Sequence, residues 1–194
     1  YLLNWPFHAN DSPDTNGIFG TLEEREHAIQ LARERTIRYV YYIQNDLGHP
    51  EWGIAEDEFD TPDNLAYLPY VRESRRMAGV TTLIEKDVIP VANSERAPFR
   101  ADGISVGDYF LDHHHSKEHL PPDERIEENY PDNGPFQVPY GSLVSKEVDG
   151  FMAAEKNISV SHIVNGCSRL QPVVMLTGQA CGAAAALCAK KKIE

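Results

Sequence analysis

From Thr21 to Gly48 the apolar positions recur at helical spacing. Leu22, Ile29, Ala32, Val40, Ile43 and Leu47 trace one stripe between charged residues. The pattern predicts a long helix near residues 22–47, opened by a capping box of Thr21 and Glu24 and stopped by Gly48. Tyr39, Tyr41 and Tyr42 are expected to pack at a subdomain interface. Two shorter runs read as strands. Val80-Thr-Thr-Leu-Ile84 is rich in β-branched residues. Phe151-Met-Ala-Ala154 follows the Asp149-Gly150 turn signal and has the length of a buried strand covered on both faces. After a polar loop, helix formers run from Pro172, which suits a first turn, to Lys192. Lys190, Lys191 and Lys192 stand where the helix dipole favours cations. Gly178 and Gly182, with Ala183 to Ala186 beyond, leave one face of this helix almost without bulk. Interior glycines cost roughly 1 kcal/mol each against alanine, so close packing or the approach of a ligand is expected to offset them. Gln171 and Gln179 make the stretch read as too polar for a membrane span.

Between these elements the chain is polar. Pro6 to Gly20 carries turn signals, and its His8, Asn10 and Asp11 read as a surface loop or as pocket lining. Glu51 to Pro69 is acidic and irregular. Lys117 to Gln137, rich in proline and acid, reads as a long exposed loop with the character of a lid.

Composition narrows the function classes. A chain of 194 residues can bury one sizeable core and a small subdomain. Its 41% hydrophobic and 25% charged residues are ordinary for a globular protein. A net charge of -12 argues against nucleic acid and anionic membranes as partners. Cys167, Cys181 and Cys188 are odd in number and form no Cys-x-x-Cys, so Cys181 and Cys188 read as small apolar residues rather than a disulfide.

Two polar clusters carry candidate chemistry. Arg72, Arg75 and Arg76 surround Glu73. They are either a salt-bridged surface or a group in which one arginine orients an anionic or hydroxyl-bearing substrate. Asp112-His-His-His-Ser-Lys-Glu-His119 offers imidazoles suited to zinc, copper or iron. If Tyr109 to Asp112 is a strand, however, His113 and His115 face away from His114, and a metal would need further ligands from elsewhere. No metal site is expected. The segment reads as polar lining that includes a histidine base, or as a solvated loop.

Five motifs in order resemble a known family. They are Tyr70-Val-Arg-Glu-Ser-Arg-Arg-Met-Ala-Gly79, Val106-Gly-Asp-Tyr-Phe-Leu-Asp-His-His114, Pro139-Tyr-Gly-Ser-Leu-Val144, Glu155-Lys-Asn-Ile-Ser159 with Ser161-His162, and Arg169-Leu-Gln-Pro172 with Gly178-Gln-Ala-Cys-Gly182. Together the segments resemble the C-terminal part of FAD-dependent oxidoreductases related to glutathione-reductase and fumarate-reductase type flavoproteins. The resemblance implies FAD as cofactor and hydride transfer from a hydroxylated small-molecule substrate. It implies a mixed α+β, α/β-type fold: a substrate-side region over residues 1–138, then the last strand and helix of a Rossmann-like FAD domain over residues 139–194. No Gly-x-Gly-x-x-Gly turn occurs in the sequence. The expectation is therefore a C-terminal fragment whose dinucleotide-binding part is missing, inactive alone, with the compartment left open.

The resemblance also implies site roles. His162, His114, Arg72 and Arg76 are the catalytic candidates. Asp112, His113 and Tyr140 face substrate. Glu155 accepts hydrogen bonds from the ribityl hydroxyls, and Asn165 lies within reach of the isoalloxazine. Arg169, Gln171, Pro172 and Val173 present the last helix's N-terminus to the ring, with Arg169 supplying a positive charge. Two other classes stay open: a non-catalytic module that binds carbohydrate or protein, and a metal-dependent hydrolase using Asp112, His113 and His115.

Overall fold

A computed structural model of the chain describes residues 16–112 and 132–193. These form two compact units, one of residues 16–71 and one of residues 72–112 with 132–193. The division expected at residue 138 falls inside the second unit, near the end of its second strand. His8, Asn10 and Asp11, and residues 117–131 of the long loop expected over 117–137, lie outside the described residues.

In the first unit, α1 (Leu22–Asn45) starts where its cap dictates. Glu24 accepts from the Thr21 backbone N–H at 2.7 Å, and its own N–H donates to Thr21 Oγ1 at 3.3 Å, so the capping box closes in both directions. Ala28 and Ile43 are its buried residues, and the expected stripe is narrower than its pattern: Leu22 and Leu47 are exposed. Arg33 pairs with Asp63, and Gln44 donates to the Trp52 carbonyl at 2.6 Å, which ties the irregular acidic segment to the helix.

The second unit holds β1 (Gly103–Gly107), β2 (Phe136–Pro139), α2 (His162–Ser168) and α3 (Gln171–Lys191). The two strands pair antiparallel, Gly107 opposite Phe136 and Ser105 opposite Val138, with a bulge between Gly103 and Ser105. The core gathers Leu83, Val88, Leu111, Phe136, Val138, Leu143, Ile158, Val160, Val164, Cys167 and Val173. Burial of this order, ~25 cal/mol per Å² of apolar surface, is what holds so small a sheet together. Burial pushes the Cys167 thiol up to about 12.

Three strand expectations are corrected. Residues 80–84 form no strand, because their backbone bonds go to different neighbours: Val80 N–H to Val144, Thr81 to Gly141, Leu83 to Ser159. Only isolated bridges result, Gly79 with Ser145 and Leu83 with Val160. Residues 151–154 form no two-sided strand either. Gly150, at φ +67°, turns them back on Leu143 to Ser145, leaving a single Met152–Val144 bridge and Phe151 exposed. Residues 109–112 form no strand, and the end of the expected loop is β2, with Phe136 fully buried. The Rossmann-like last strand thus has no counterpart among the described elements, and the unit is a small α+β arrangement.

α3 begins as Pro172 requires and closes on Lys192 in a left-handed conformation. Its contacts are fewer than its composition predicts. Val173 and Thr177 are its buried residues, and a Cβ on Gly178 or Gly182 would meet nothing within 4 Å. Nothing among the described residues presses on the small-residue face. By length and composition α3 is also apolar enough to cross a membrane, which corrects its reading as too polar. Core helices of soluble proteins pass the same test.

Candidate functional site

The polar stretch expected as a loop between strand and helix is α2. Ser161 caps it, its Oγ accepting from the Val164 N–H at 3.4 Å and donating to Glu85 Oε1 at 2.6 Å. His162, Asn165 and Arg169 follow at i, i+3 and i+7, a spacing that puts them on one face of the helix.

Each of the three has a different environment. His162 is about half exposed, and its Nε2 lies 2.9 Å from Glu73 Oε1. Asn165 is buried, and neither its amide nitrogen nor its amide oxygen has a hydrogen-bond partner among the described residues. Arg169 is nearly buried and donates from Nη2 to the Asp112 carboxylate at 2.9 Å and to the Asp112 carbonyl oxygen at 3.2 Å. Its charge is therefore matched by a carboxylate.

Gly166 sets the spacing between α2 and the Asp112 segment. A Cβ there would stand 2.7 Å from the Asp112 carbonyl oxygen and 2.9 Å from its carbon, which no side chain tolerates without a shift.

The arginine-rich segment lies on the other side of His162. Met77 N–H donates to the Asn157 carbonyl at 2.9 Å, and Asn157 Nδ2 to the Arg75 carbonyl at 2.7 Å. Glu73 is shared: Oε1 meets His162, and Oε2 accepts from Arg76 Nη1 at 3.1 Å. Burial pushes the Glu73 carboxyl up, but the hydrogen bond and charge of His162, together with Arg76, outweigh it and hold the group below the ordinary carboxylate range.

The structure thus brings together His162, Arg76, Asp112, Asn165 and Arg169 from the expected residues, in two linked sets around α2. Arg72 is half-buried in the same segment as Glu73. Glu155 is exposed, with left-handed backbone (φ 61°) and Lys156 Nζ at 3.7 Å. Gln171 and Pro172 are exposed at the start of α3, which has no side-chain cap, whereas the Val173 side chain belongs to the core and its carbonyl accepts from Ser105 Oγ at 3.2 Å. Tyr140 begins the turn after β2, its N–H bonded to the Asp102 carbonyl. His113, His114 and His115 lie outside the described residues, and among the described residues no group of histidine, cysteine and carboxylate could hold a metal.

Two residues of the site, Glu73 as the partner of His162 and Gly166 as the contact of α2 with Asp112, are not apparent from the sequence. Glu73 had a signal, a lone carboxylate among three arginines, but the pattern assigns it to them rather than to a histidine 89 residues on. Gly166 reads as loop composition until α2 is seen.

A family model described as FAD dependent oxidoreductase matches residues 1–194, the whole chain. No curated protein and no solved structure matches it.

Proposed function

The chain belongs to the FAD dependent oxidoreductase family, and we propose that its α2 face works on the substrate side of the cofactor, oxidising a hydroxyl-bearing small molecule. FAD is the cofactor of the family. When bound, it accepts the hydride that leaves the hydroxyl-bearing carbon. His162 takes the hydroxyl proton, the usual division of labour in alcohol oxidation.

One observation carries the reading: the buried, unpartnered amide of Asn165 on the helix face it shares with His162 and Arg169. A buried polar group left so costs about 1–3 kcal/mol. An amide offers one acceptor and one donor side, which fits the alternating carbonyl and N–H groups on the pyrimidine edge of a flavin. The residues present therefore fit the group.

The remaining roles follow in the same reading. The start of α3, Gln171 to Val173, has no side-chain cap, and the N–H groups of Gln171 and Val173, with Pro172 between them carrying none, favour negative charge on a ligand beside it. Arg169 acts through Asp112, holding that segment against α2 rather than lending a free charge. Arg72 and Arg76 line the substrate side, and exposed Glu155 accepts from ribityl hydroxyls. Residues 139–194 complete the FAD-binding region, and residues 1–138 form the substrate side.

The test is the flavin spectrum of the purified full-length protein, followed by anaerobic bleaching with a panel of sugars and polyols. A yellow protein bleached by a hydroxylated compound, and slowed in bleaching by His162→Ala, is the expected result. A colourless protein overturns the reading. Asn165→Leu is expected to lower bound flavin at least several-fold while the fold survives, since a leucine suits a buried position.

A further inference from the structure

We infer that Glu73 is the positioning residue of His162: it holds the Nε2–H, so that Nδ1 is the nitrogen that takes the proton. The inference rests on the function proposed above and assigns a residue that the reading leaves without a role.

The geometry carries it. A carboxylate oxygen 2.9 Å from Nε2 accepts a hydrogen bond and has no proton to offer at neutral pH, so Nε2 carries the hydrogen of the neutral ring. Nδ1 is then the acceptor nitrogen. A proton arriving from a substrate hydroxyl adds to Nδ1, and the resulting imidazolium faces the Glu73 carboxylate. The carboxylate stabilises that cation without taking the proton itself.

Both partners are fixed before any substrate arrives. Ser161 N–H donates to the Leu83 carbonyl at 2.9 Å, and its hydroxyl to Glu85, which sets the first residue of α2. Asn157 holds the segment of Glu73 through Arg75 and Met77. The Glu73 side chain is only about a fifth exposed (21%), so its link to His162 is shielded more than a surface ion pair. Arg76 occupies the second carboxylate oxygen, which stops the carboxyl from rotating away from the ring.

The test is nitrogen-15 NMR of the full-length protein at a pH well above the ordinary imidazole pKa of about 6.5, with His162→Ala to assign the ring. The wild type should show a downfield, exchange-protected Nε2–H and an unprotonated Nδ1. In Glu73→Ala that proton should exchange with water about tenfold faster or vanish. Glu73→Gln keeps an acceptor oxygen and a similar shape, so it should restore part of the protection, and it serves as the folded variant if alanine does not fold. A proton found on Nδ1 in the wild type overturns the inference, as does protection unchanged in both variants. Flavin content of the same samples separates the two failures: a colourless protein sinks the function proposed, whereas the ring's protonation is read with or without FAD.

Discussion

Arg169 grips Asp112 twice, through its carboxylate and through its carbonyl oxygen, across 57 residues of chain. One guanidinium nitrogen therefore fixes both the side chain and the backbone of the residue that precedes the histidine run. Arg169→Met should lower stability by about 1.5–3 kcal/mol, the range for a hydrogen bond to a charged group. Urea denaturation should show it as a lower midpoint at unchanged slope. Arg169→Lys, which keeps the charge but not the fork, should recover part of the loss.

Gly166→Ala tests the close approach from the opposite side. Its Cβ would meet backbone atoms of Asp112 at 2.7–3.1 Å, and backbone does not move aside as a flexible side chain does. The expected loss is about 1–3 kcal/mol, read as a lower thermal midpoint, together with weaker flavin retention. An unchanged midpoint would mean that α2 and the Asp112 segment separate freely.

Glu73 makes stability depend on pH with a definite sign. Its carboxyl is held below the ordinary value of 4.5, so it ionises more readily in the folded chain than in the unfolded one. Its contribution is then fully present above about 4.5, and it is lost as the pH falls through the lower folded value. Glu73→Gln should differ from wild type most above that point and converge with it in stronger acid. Denaturant midpoints measured across the acid range check this, and a difference constant with pH would contradict it.

Gly178→Ala and Gly182→Ala should each stabilise the chain, by about 0.8–1 kcal/mol, because nothing lies within 4 Å of the added methyl and alanine is the better helix former. Calorimetry of the two single variants measures it. A loss of stability instead would show that another surface covers this face.

How much was legible in the sequence depended on the range of the interactions. α1 and α3 are written locally: the capping box of Thr21 and Glu24, and Pro172 at a first turn, act within a few residues. The strands are not. Val80 to Ile84 has the composition of a strand, yet its N–H groups go to Val144, Gly141 and Ser159, partners that no local pattern specifies. The site divides the same way. His162 and Arg169 fall in motifs and Asn165 lies between them, but the stretch reads as a polar loop rather than as the helix that aligns the three. Their partners Glu73 and Asp112 lie 89 and 57 residues away from His162 and Arg169, and only folding brings them in.

α3 is held near one end. Its buried side chains, Val173 and Thr177, lie in the first two turns, Ala180 and Cys181 pack against the core in the next, and beyond them the helix relies on its own ladder and the lysines at its close. Isolated helical turns are marginal in water. Amide hydrogen exchange along α3 should therefore be graded, slowest around Thr177 and quickening steadily toward Lys191, so that its second half opens without the core and reports by its protection whether another surface has closed over it.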